Sequence, residues 1–457
     1  MSDQSNHVNQ PLNRRDFLKR SATAGLGTAL GSMYLAGCSQ MRGMGFSPAP
    51  IAKPLDVVRI GYVGVGGMGT NHVGNLLKID GVEIRAVCDI VEKQVANAQK
   101  LCEEAGKPKP DGYCCDPQGY LKLCEREDLD LVYTATPWEF HTPVCAAAMK
   151  AGKHAATEVP AAITTEECWQ LVETSEKTGK YCRMMENCCY GRSELMVLNM
   201  VRKGLFGELL HGECGYLHDL RNIKFNGQGE SLWRTAHAIK RNANLYPTHG
   251  LGPIAQYMNI NRGDRFDYLV SMSTPSRGLN IYAAKRFGPD SPQAKQKYAC
   301  GDVNTTLIKT CNGLTIYLVH DCNLPRPYSR INMIQGTRGL FVDYPPRIHI
   351  EGRSQEHEWE DKLDKYYAEF DHPLYKKMAD KSKGAGHGGM DFIEDYRLIQ
   401  CLRTGQPMDQ DVYDAASWSV VTSLTERSVA NRSQTVDFPD FTRGAWKTRP
   451  PLGIIEG

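Results

Sequence analysis

Three glycines that follow a short apolar stretch have the spacing of a phosphate-binding turn. Gly64, Gly66 and Gly69 form G-x-G-x-x-G directly after the apolar residues 57–63. The first glycine permits a tight turn, the second lets the backbone approach a pyrophosphate, and the third lets a helix pack closely on a strand. The amide groups at the start of that helix then face the phosphates. The pattern therefore predicts that the chain binds a dinucleotide.

A carboxylate stands where a dinucleotide site contacts a ribose. The apolar segment 82–88 ends at Asp89, twenty positions after Gly69. A carboxylate accepts hydrogen bonds from ribose hydroxyls but repels a 2′-phosphate, and Ile90 and Val91 follow it rather than an arginine. The position favours NAD over NADP. The alternative is a glycine turn in an α/β domain that binds nothing, and it leaves the strand, the spacing and the acid unexplained.

The elements that must position these residues alternate between strand and helix. Apolar patterns predict strands at 57–63, 82–88, 129–134, 153–157 and 181–185, and helices at about 91–105 and 142–151. A capping box at 164–167 precedes another helix, which stops by Gly179. This order predicts a doubly wound parallel sheet, a Rossmann domain over residues 56–190, with its binding loops at the carboxyl ends of the strands. The side chains at such ends are Met68, Trp138, His141, Glu158 and Asn187.

After residue 190 apolar segments of strand character accumulate without helices between them. They lie at 208–216, 266–272, 305–310, 314–320, 330–334 and 339–343. Two later helices, at about 390–403 and 412–430, would cover sheet faces. This half, residues 191–457, is predicted to be a substrate-binding α+β domain with a largely antiparallel open sheet.

The first 38 residues resemble a twin-arginine export signal. Arg14 and Arg15 precede an Ala- and Gly-rich apolar run at 21–37 that is too short to span a membrane. Leu35 to Cys38 resembles a bacterial lipobox, so processing there would leave Cys38 as a lipid anchor. Residues 39–55 have the composition of a flexible tether. These features predict the twin-arginine export machinery as a partner and the periplasm as the destination.

The composition narrows the partners further. The net charge of +2 argues against a nucleic-acid partner, and the sequence assigns no oligomeric state. The sixteen cysteines include no C-x-x-C pair and no Cys/His spacing typical of zinc, so no metal site is predicted. Most cysteines are expected to be small buried apolar residues.

The whole arrangement is similar to the superfamily of glucose-fructose oxidoreductase, inositol dehydrogenase and rhizopine catabolism proteins, which act on sugars and polyols. The similarity rests on the Rossmann unit, the Thr-Pro-x-x-x-His loop at 136–141, the Glu-x-Pro at 158–160 and the following open-sheet domain. Many of those dehydrogenases carry a catalytic lysine in Glu-Lys-Pro, and this chain has Val159 there. A dehydrogenase of that type would lack its usual proton-transfer group.

Six blocks resemble a narrower family, glycoside hydrolase family 109, whose characterised activity is α-N-acetylgalactosaminidase with bound NAD that is not consumed. The blocks lie at 66–69, 136–141, 157–160, 185–190, 246–249 and 386–391. With the glycine turn, the resemblance implies cofactor contacts from Gly64, Gly66, Met68, Gly69, Asp89, Trp138, Glu139, Phe140, His141, Glu158, Val159 and Asn187. It implies substrate contacts from Tyr216, Arg234, Tyr246, Pro247, Thr248, His249 and Tyr328, and a glycan with terminal N-acetylgalactosamine as the partner.

The substrate-side residues also have alternatives on their own chemistry. Arg234 suits the acceptors of an acetamido sugar or a surface salt bridge, and Tyr216 suits a sugar contact or the edge of a core. Tyr328, in a proline-rich turn, suits a presented hydroxyl or surface packing. His249 is the residue predicted to be catalytic, because a base that cycles near neutral pH suits proton abstraction. His387, in a glycine-rich turn, is a weaker candidate of the same kind.

The mechanism that the resemblance implies explains why a hydrolase would hold a redox cofactor. Oxidation at sugar C3 acidifies the C2 proton; its removal expels the glycosidic oxygen from C1, water adds there, and C3 is reduced again. No pair of flanking carboxylates is needed. Two alternatives stay open: an exported NAD(P)-dependent sugar oxidoreductase, and a non-catalytic sugar-binding lipoprotein.

Overall fold

A computed structural model describes residues 53–454. The predicted export signal at 1–38, the lipobox cysteine and the tether up to residue 52 lie outside the described residues. Within the described range, no helix combines the length and apolar character that crossing a membrane requires.

The first half forms a parallel sheet of six strands in the order β3-β2-β1-β4-β5-β6. The strands are β1 (Val58–Val63), β2 (Val82–Asp89), β3 (Asp111–Cys114), β4 (Leu131–Thr134), β5 (His154–Thr157) and β6 (Cys182–Met184). The helices between them are α1 (Gly67–Leu76), α2 (Glu92–Glu104), α3 (Gly119–Glu125), α4 (Trp138–Lys150) and α5 (Thr165–Thr178). The predicted Rossmann architecture is confirmed. Strands β2 and β3 are added on one side of β1, and strands β4 to β6 are added on its other side.

The second half builds a mixed sheet of eight strands, in the order β13-β12-β11-β7-β10-β9-β8-β14. Its strands are β7 (Leu209–Leu217), β8 (Phe266–Ser273), β9 (Val303–Thr310), β10 (Thr315–Asp321), β11 (Met333–Gly336), β12 (Gly339–Val342), β13 (Arg347–Ile350) and β14 (Val436–Asp437). The strands β7 and β10 pair in parallel, and every other neighbouring pair is antiparallel. The largely antiparallel sheet predicted from the sequence is therefore confirmed.

Helices precede, separate and follow these strands along the chain. They are α6 (Arg192–Arg202), α7 (Arg221–Lys224), α8 (Glu230–Lys240), α9 (Thr248–Tyr257), α10 (Gly278–Phe287), α11 (Pro292–Lys295), α12 (Asp364–Phe370), α13 (Pro373–Met378), α14 (Met390–Thr404), α15 (Val412–Ser419) and α16 (Val421–Ala430). Short 3-10 turns occupy Asn187–Tyr190, Gly386–Gly389 and Ala445–Lys447. The predicted helix at 412–430 is two consecutive helices that meet at Val420.

Two predicted boundaries are wrong, and one strand was not predicted. The helix α4 begins at Trp138 rather than near 142, because Pro137 occupies its N-cap position and the loop residues 138–141 form its first turn. The strand predicted at 330–334 starts only at Met333, since Ile331 and Asn332 have φ of 64° and 47° and cannot continue an extended ladder. The strand β3 has no buried position and therefore no apolar pattern that the sequence could reveal.

The helix α14 returns from the second half of the chain to the nucleotide-binding half. His72 and Asn75 of α1 both bond to the buried carboxylate of Asp395 in α14, at 2.9 and 3.1 Å. Thr164 caps α5, since Glu167 N donates to its hydroxyl at 3.1 Å, and the Glu167 carboxylate accepts from Ile163 N at 2.8 Å. All fifteen cysteines of the described range are free thiols, and only Cys114, Cys115 and Cys311 are exposed. The expectation that most cysteines pack as small apolar residues is confirmed for that range.

Candidate active site

The glycine turn between β1 and α1 is shaped for a pyrophosphate. A Cβ on Gly69 would lie 1.9 Å from the Gly64 carbonyl oxygen, so only glycine lets α1 approach β1 this closely. Gly64 itself has φ of +83°, in the left-handed region. A Cβ on Gly66, by contrast, would meet nothing within 4 Å. The turn is therefore tight where it packs on the protein and open where a phosphate would lie, and its residues fit the cofactor that the sequence predicts.

Asp89 lies at the end of β2 beside this turn. Its two carboxylate oxygens accept hydrogen bonds from the backbone N–H groups of Val65 and Val91, at 3.0 and 2.9 Å. Burial raises the pKa of Asp89, and the backbone N–H donors around it oppose that rise. Exposed Ile90 and Val91 follow it and offer an apolar surface beside the carboxylate. An adenosine with a free ribose 2′-hydroxyl suits this combination of an acceptor and an apolar patch.

Glu158 is the outer member of a chain of ion pairs, which we call the relay, that continues through His72 to Asp395 in the interior. Its carboxylate accepts from His72 Nε2 at 2.7 Å, and His72 Nδ1 lies 2.9 Å from Asp395 Oδ2. Burial opposes a charge on His72, but the two carboxylates outweigh burial and raise its pKa well above the usual value. Because Glu158 alone of the three reaches solvent, the relay presents a fixed carboxylate at the carboxyl end of β5. The sequence analysis missed His72 and Asp395.

Two predicted cofactor residues, His141 and Asn187, have side chains that already bond to other protein groups. Buried His141 lies between the carbonyl oxygens of Pro160 and Thr136, at 2.7 and 2.8 Å, and holds their two loops together. Both ring nitrogens of His141 already contact protein carbonyls. The cofactor contact predicted for this residue therefore stays a prediction, and it would have to come from the backbone. The Asn187 amide donates to Asp391 at 2.7 Å.

His387 contacts the same Asp391 carboxylate, and its position on the cofactor side was not predicted. His387 Nδ1 lies 2.8 Å from Asp391 Oδ2, and this hydrogen bond raises the pKa of His387. Val159 is buried, Met68 and Phe140 are half-buried, and Glu139 is exposed. The part of the site formed by Glu158, Asn187, His387 and Asp391 thus combines residues from both halves of the chain.

The predicted substrate residues converge into one aromatic cluster. Tyr246 lies at its centre, with ring centroids 4.7 Å from Tyr216, 4.8 Å from His249 and 5.5 Å from Trp138. Tyr328 joins through Tyr216, at 6.2 Å. Aromatic rings edge-on and stacked at these distances form an apolar wall with phenol groups on it. Trp138, predicted as a cofactor residue, therefore belongs also to this wall and joins the two sides of the site.

Arg234 is held inside the aromatic cluster. Its guanidinium lies 4.7 to 5.2 Å from the ring centroids of Trp233, Tyr246 and Trp138, and its Nε donates to Glu230 at 2.6 Å. That is the guanidinium's one side-chain hydrogen bond within the described range. Burial opposes the charge of Arg234, but Glu230 and the neighbouring phenols more than offset this and raise its pKa. The terminal amino groups are thus left for acceptors on a ligand. The salt bridge that the alternative expected is present, to Glu230, but Arg234 itself is buried.

His249 lies in the first turn of α9, directly after Pro247 and the buried Thr248. Its Nδ1 lies 2.7 Å from Oε1 of Glu186, a fully buried carboxylate at the end of β6. The Cys188 thiol is close by, and one ligand atom from each of these three residues lies within 4.8 Å of the others. The sequence analysis did not single out Glu186, although its position directly before Asn187 at a strand end was a signal.

Further residues that contact the aromatic cluster were also missed. His218 Nδ1 and the Tyr216 hydroxyl share a hydrogen bond of 2.9 Å. Arg330 donates to the Tyr328 hydroxyl at 3.1 Å and is paired with buried Glu194. Nothing in the local sequence marks these residues, because β7, β10 and the loop after β10 bring them together only in the folded chain.

Two family models match consecutive parts of the chain. Residues 58–186 match the model described as oxidoreductase family, NAD-binding Rossmann fold. Residues 190–448 match the model described as glycosyl hydrolase 109, C-terminal domain. A protein of Shewanella pealeana named glycosyl hydrolase family 109 protein is 50% identical over 452 residues, covering 97% of this chain and 99% of its own. Another so named, from Shewanella amazonensis, is 49% identical with the same coverage.

The chain belongs to glycoside hydrolase family 109. The predicted family is therefore confirmed. The family 109 chain also shares its fold with solved sugar and polyol dehydrogenases. Levoglucosan dehydrogenase in complex with NADH and levoglucosan superposes with a TM-score of 0.65 at 17% identity, covering 84% of this chain and 100% of that one. An inositol dehydrogenase homologue from Azotobacter vinelandii, complexed with NAD+, gives 0.62 at 18% identity, covering 85% and 99%.

The cofactor assignment follows from the nucleotide-binding half of this family 109 glycosidase. The Rossmann domain is an NAD-binding one, and the glycine turn with Asp89 fits NAD. Val159, where many dehydrogenases of the superfamily carry a lysine, is 2% exposed and packs in the core. The side chain that follows Glu158 thus contributes packing and no ionisable group.

Proposed function

We propose that this family 109 glycosidase hydrolyses α-N-acetylgalactosaminides by transient oxidation of the sugar. The observation that carries the proposal is the convergence of His249, Arg234 and three tyrosines in one cluster that also contains Trp138, a residue predicted on the NAD side. A base, a buried guanidinium and aromatic surfaces are what proton abstraction from a bound acetamido sugar requires. Val159 supports the same conclusion, because the dehydrogenase lysine is absent.

The residues on the cofactor side have one task each. The open space at Gly66 takes the pyrophosphate, Asp89 accepts from the adenosine ribose, and Glu158 is the fixed acceptor nearer the sugar. The chemistry that NAD supplies when bound is reversible oxidation, here of the C3 hydroxyl of the sugar. Since C3 is reduced again before product leaves, the reaction consumes no cofactor.

The residues on the sugar side carry the proton chemistry. His249 takes the C2 proton once C3 is a ketone, and the electron pair of that bond expels the glycosidic oxygen from C1. Water then adds at C1, the proton that it releases balances the one taken up by the departed oxygen, and a proton returns to C2. Arg234 holds the sugar and does not act as the base, because a guanidinium has no accessible neutral form at ordinary pH.

Isotope exchange during turnover tests this proposal. Purified protein, without added cofactor, is incubated with aryl α- and β-glycosides in D2O, and the released sugar is analysed by NMR. We expect hydrolysis of α-N-acetylgalactosaminides, deuterium at C2 and no net NADH. Activity that survives verified removal of NAD would overturn the mechanism, and stoichiometric NADH accumulation would instead favour the oxidoreductase alternative.

Replacement of His249 tests its role as the base. We expect His249→Ala to lower turnover at least about 100-fold, in the range of general-base losses, with a much smaller change in sugar affinity. Steady-state kinetics with the aryl glycoside, on protein shown to be folded and to retain NAD, measures both. Unchanged turnover would remove His249 from the mechanism.

The proposal includes export by the twin-arginine route. The paired Arg14 and Arg15 and the apolar run at 21–37 support it, and Cys38 is the proposed lipid anchor. A cycle that regenerates NAD suits a compartment without a system for reoxidising NADH. Replacing both arginines by lysine should leave the precursor in the cytoplasm, as measured by cell fractionation, and Cys38→Ala should release the exported protein from the membrane. Normal export of the double-lysine variant would contradict this route.

A further inference from the structure

We propose that Glu186 is a positioning residue that fixes the tautomer and orientation of His249, so that Nε2 is the nitrogen that receives the C2 proton. The inference rests on the proposed function, since it assigns a partner to the base named there. The geometry that carries it is the 2.7 Å contact between Glu186 Oε1 and His249 Nδ1, with the carboxylate fully buried.

The position of Glu186 is fixed from several sides. Its backbone N–H donates to the Gln410 side-chain oxygen at 2.9 Å, and its carbonyl accepts from the Gln410 side-chain nitrogen at 3.0 Å. The carboxylate Oε1 also accepts from Cys188 N at 3.1 Å, which caps the 3-10 turn after β6. Buried Gln410 thus fixes the backbone of Glu186 through both of its peptide groups, while Cys188 N and His249 Nδ1 bond to the carboxylate itself.

The charge state of Glu186 decides the tautomer of His249. Burial raises the pKa of the Glu186 carboxyl, but His249, the Thr248 hydroxyl and Cys188 N–H outweigh burial and bring its pKa below the usual value. An ionised carboxylate only accepts hydrogen bonds, so His249 Nδ1 must carry the proton. The neutral imidazole then has its lone pair on Nε2.

The other groups that face His249 do not compete for Nδ1. The rings of Tyr216 and Tyr246 approach edge-on, at centroid distances of 5.3 and 4.8 Å. The Cys188 thiol lies within the 4.8 Å group, but burial raises its pKa well above the usual value and keeps it a neutral thiol. Glu186 is thus the carboxylate that bonds to His249 within the described residues.

Removing the charge of Glu186 without removing its shape should change the pH dependence of the enzyme. In Glu186→Gln the amide oxygen still accepts from Nδ1, but the charge that favours the imidazolium is gone. We expect kcat to fall about 10- to 100-fold, with KM changing less than about threefold, and the acid limb of the kcat profile to move to lower pH. Glu186→Asp keeps the charge and should recover part of kcat and the position of the acid limb.

A second measurement is independent of turnover. In protein labelled with ¹⁵N-histidine, His249 is assigned by the signals that disappear in His249→Gln. We expect a single tautomer with hydrogen on Nδ1 in the native protein. In Glu186→Ala we expect a mixture of tautomers, since the acceptor is lost. Because no substrate is needed, this result stands or falls separately from the proposed glycosidase activity.

Controls separate positioning from structure and from metal binding. Glu167→Gln alters a half-buried carboxylate that makes no contact with His249. It accepts a hydrogen bond of 2.8 Å from Ile163 N, and its replacement should leave the pH profile unchanged. Native activity should resist dialysis against a chelator. Loss of activity on chelation, restored by a divalent cation, would overturn the proposal in favour of a metal held by Glu186, Cys188 and His249. An unshifted acid limb in Glu186→Gln together with unchanged His249 signals in Glu186→Ala would also overturn it.

Discussion

Asp89 carries the cofactor preference at the scale of a single residue. Its two oxygens already accept from backbone N–H groups, and a carboxylate has further lone pairs for the ribose hydroxyls. Asp89→Ala removes hydrogen bonds to a charged acceptor, each worth about 1.5–3 kcal/mol, so NAD affinity should fall about 10- to 100-fold. Calorimetric titration of protein stripped of cofactor measures the loss. Recovery of mainly NADP from the native protein would contradict the assignment.

The relay behind Glu158 is a second feature at this scale. Asp395→Asn keeps the shape of the side chain but leaves the buried His72 cation with one carboxylate instead of two. Breaking a buried ionic contact on one side costs about 3–5 kcal/mol, and we expect the free energy of unfolding to fall by that order. Urea unfolding measures it. The matched change Glu369→Gln, in an exposed pair with Arg353, should have no measurable effect; equal losses in both variants would contradict the role of burial.

At the scale of an element, the turn between β1 and α1 separates packing from binding. In Gly69→Ala the new Cβ would overlap the Gly64 carbonyl oxygen, so we expect α1 to shift, at a cost of about 1–3 kcal/mol in unfolding free energy. In Gly66→Ala the Cβ meets no protein atom within 4 Å, so stability should hold while NAD binding is lost. Urea unfolding measures the change in stability, and titration with NAD measures the change in binding.

The same helix supplies the control for that comparison. A Cβ on Gly74 would lie 3.9 Å from the nearest atom, in Leu101, which is an ordinary contact. Gly74→Ala should therefore keep both stability and NAD affinity, with a small gain from helix propensity. Normal NAD binding by Gly66→Ala would show that the open space at this turn does not hold the pyrophosphate.

At the scale of the whole molecule, three buried histidines predict acid sensitivity. Burial lowers the pKa of His154 and His372 to about 4 and that of His320 to about 3. His154 and His372 each accept a backbone N–H at Nδ1, from Tyr181 and Leu374, which protonation would break. In the unfolded chain these histidines have a pKa of about 6.5, so below that pH the unfolded chain binds protons that the folded protein does not. Their contribution to the free energy of unfolding is therefore complete above about pH 6.5 and is lost as the pH falls towards about 4.

The slope of that loss is measurable. Three histidines that bind a proton only on unfolding lower the free energy of unfolding by up to about 4 kcal/mol per pH unit in this window. Urea unfolding between pH 7 and 5 gives the slope, and His154→Gln, which keeps an acceptor for the Tyr181 N–H, should reduce it by about a third. Exposed His357→Gln is the control that should not change it. A flat profile would contradict the prediction.

Local pattern determined the parts of the fold whose cause is local. The glycine spacing, the acid after β2 and the alternation of apolar segments specify β1, α1 and β2, because turn geometry and side-chain periodicity act over a few residues. The edge strand β3 was missed because none of its residues is buried, so no periodic apolar face exists to detect. The start of α4 was displaced because Pro137 sets the cap, and helix boundaries depend on such caps more than on the apolar pattern.

The sequence by itself determined the family and the NAD-binding turn and suggested the residues now proposed to contact the sugar, since blocks of neighbouring residues carry that information. Only the tertiary structure decided which side chains act on one another. Glu186 and His249 are 63 positions apart, and His72 and Asp395 are 323 apart, yet each pair is in hydrogen-bond contact. Their partnership depends on how β6 meets α9 and how α14 returns to α1. Such contacts are fixed by the packing of whole elements, and no pattern within a short stretch of residues encodes them.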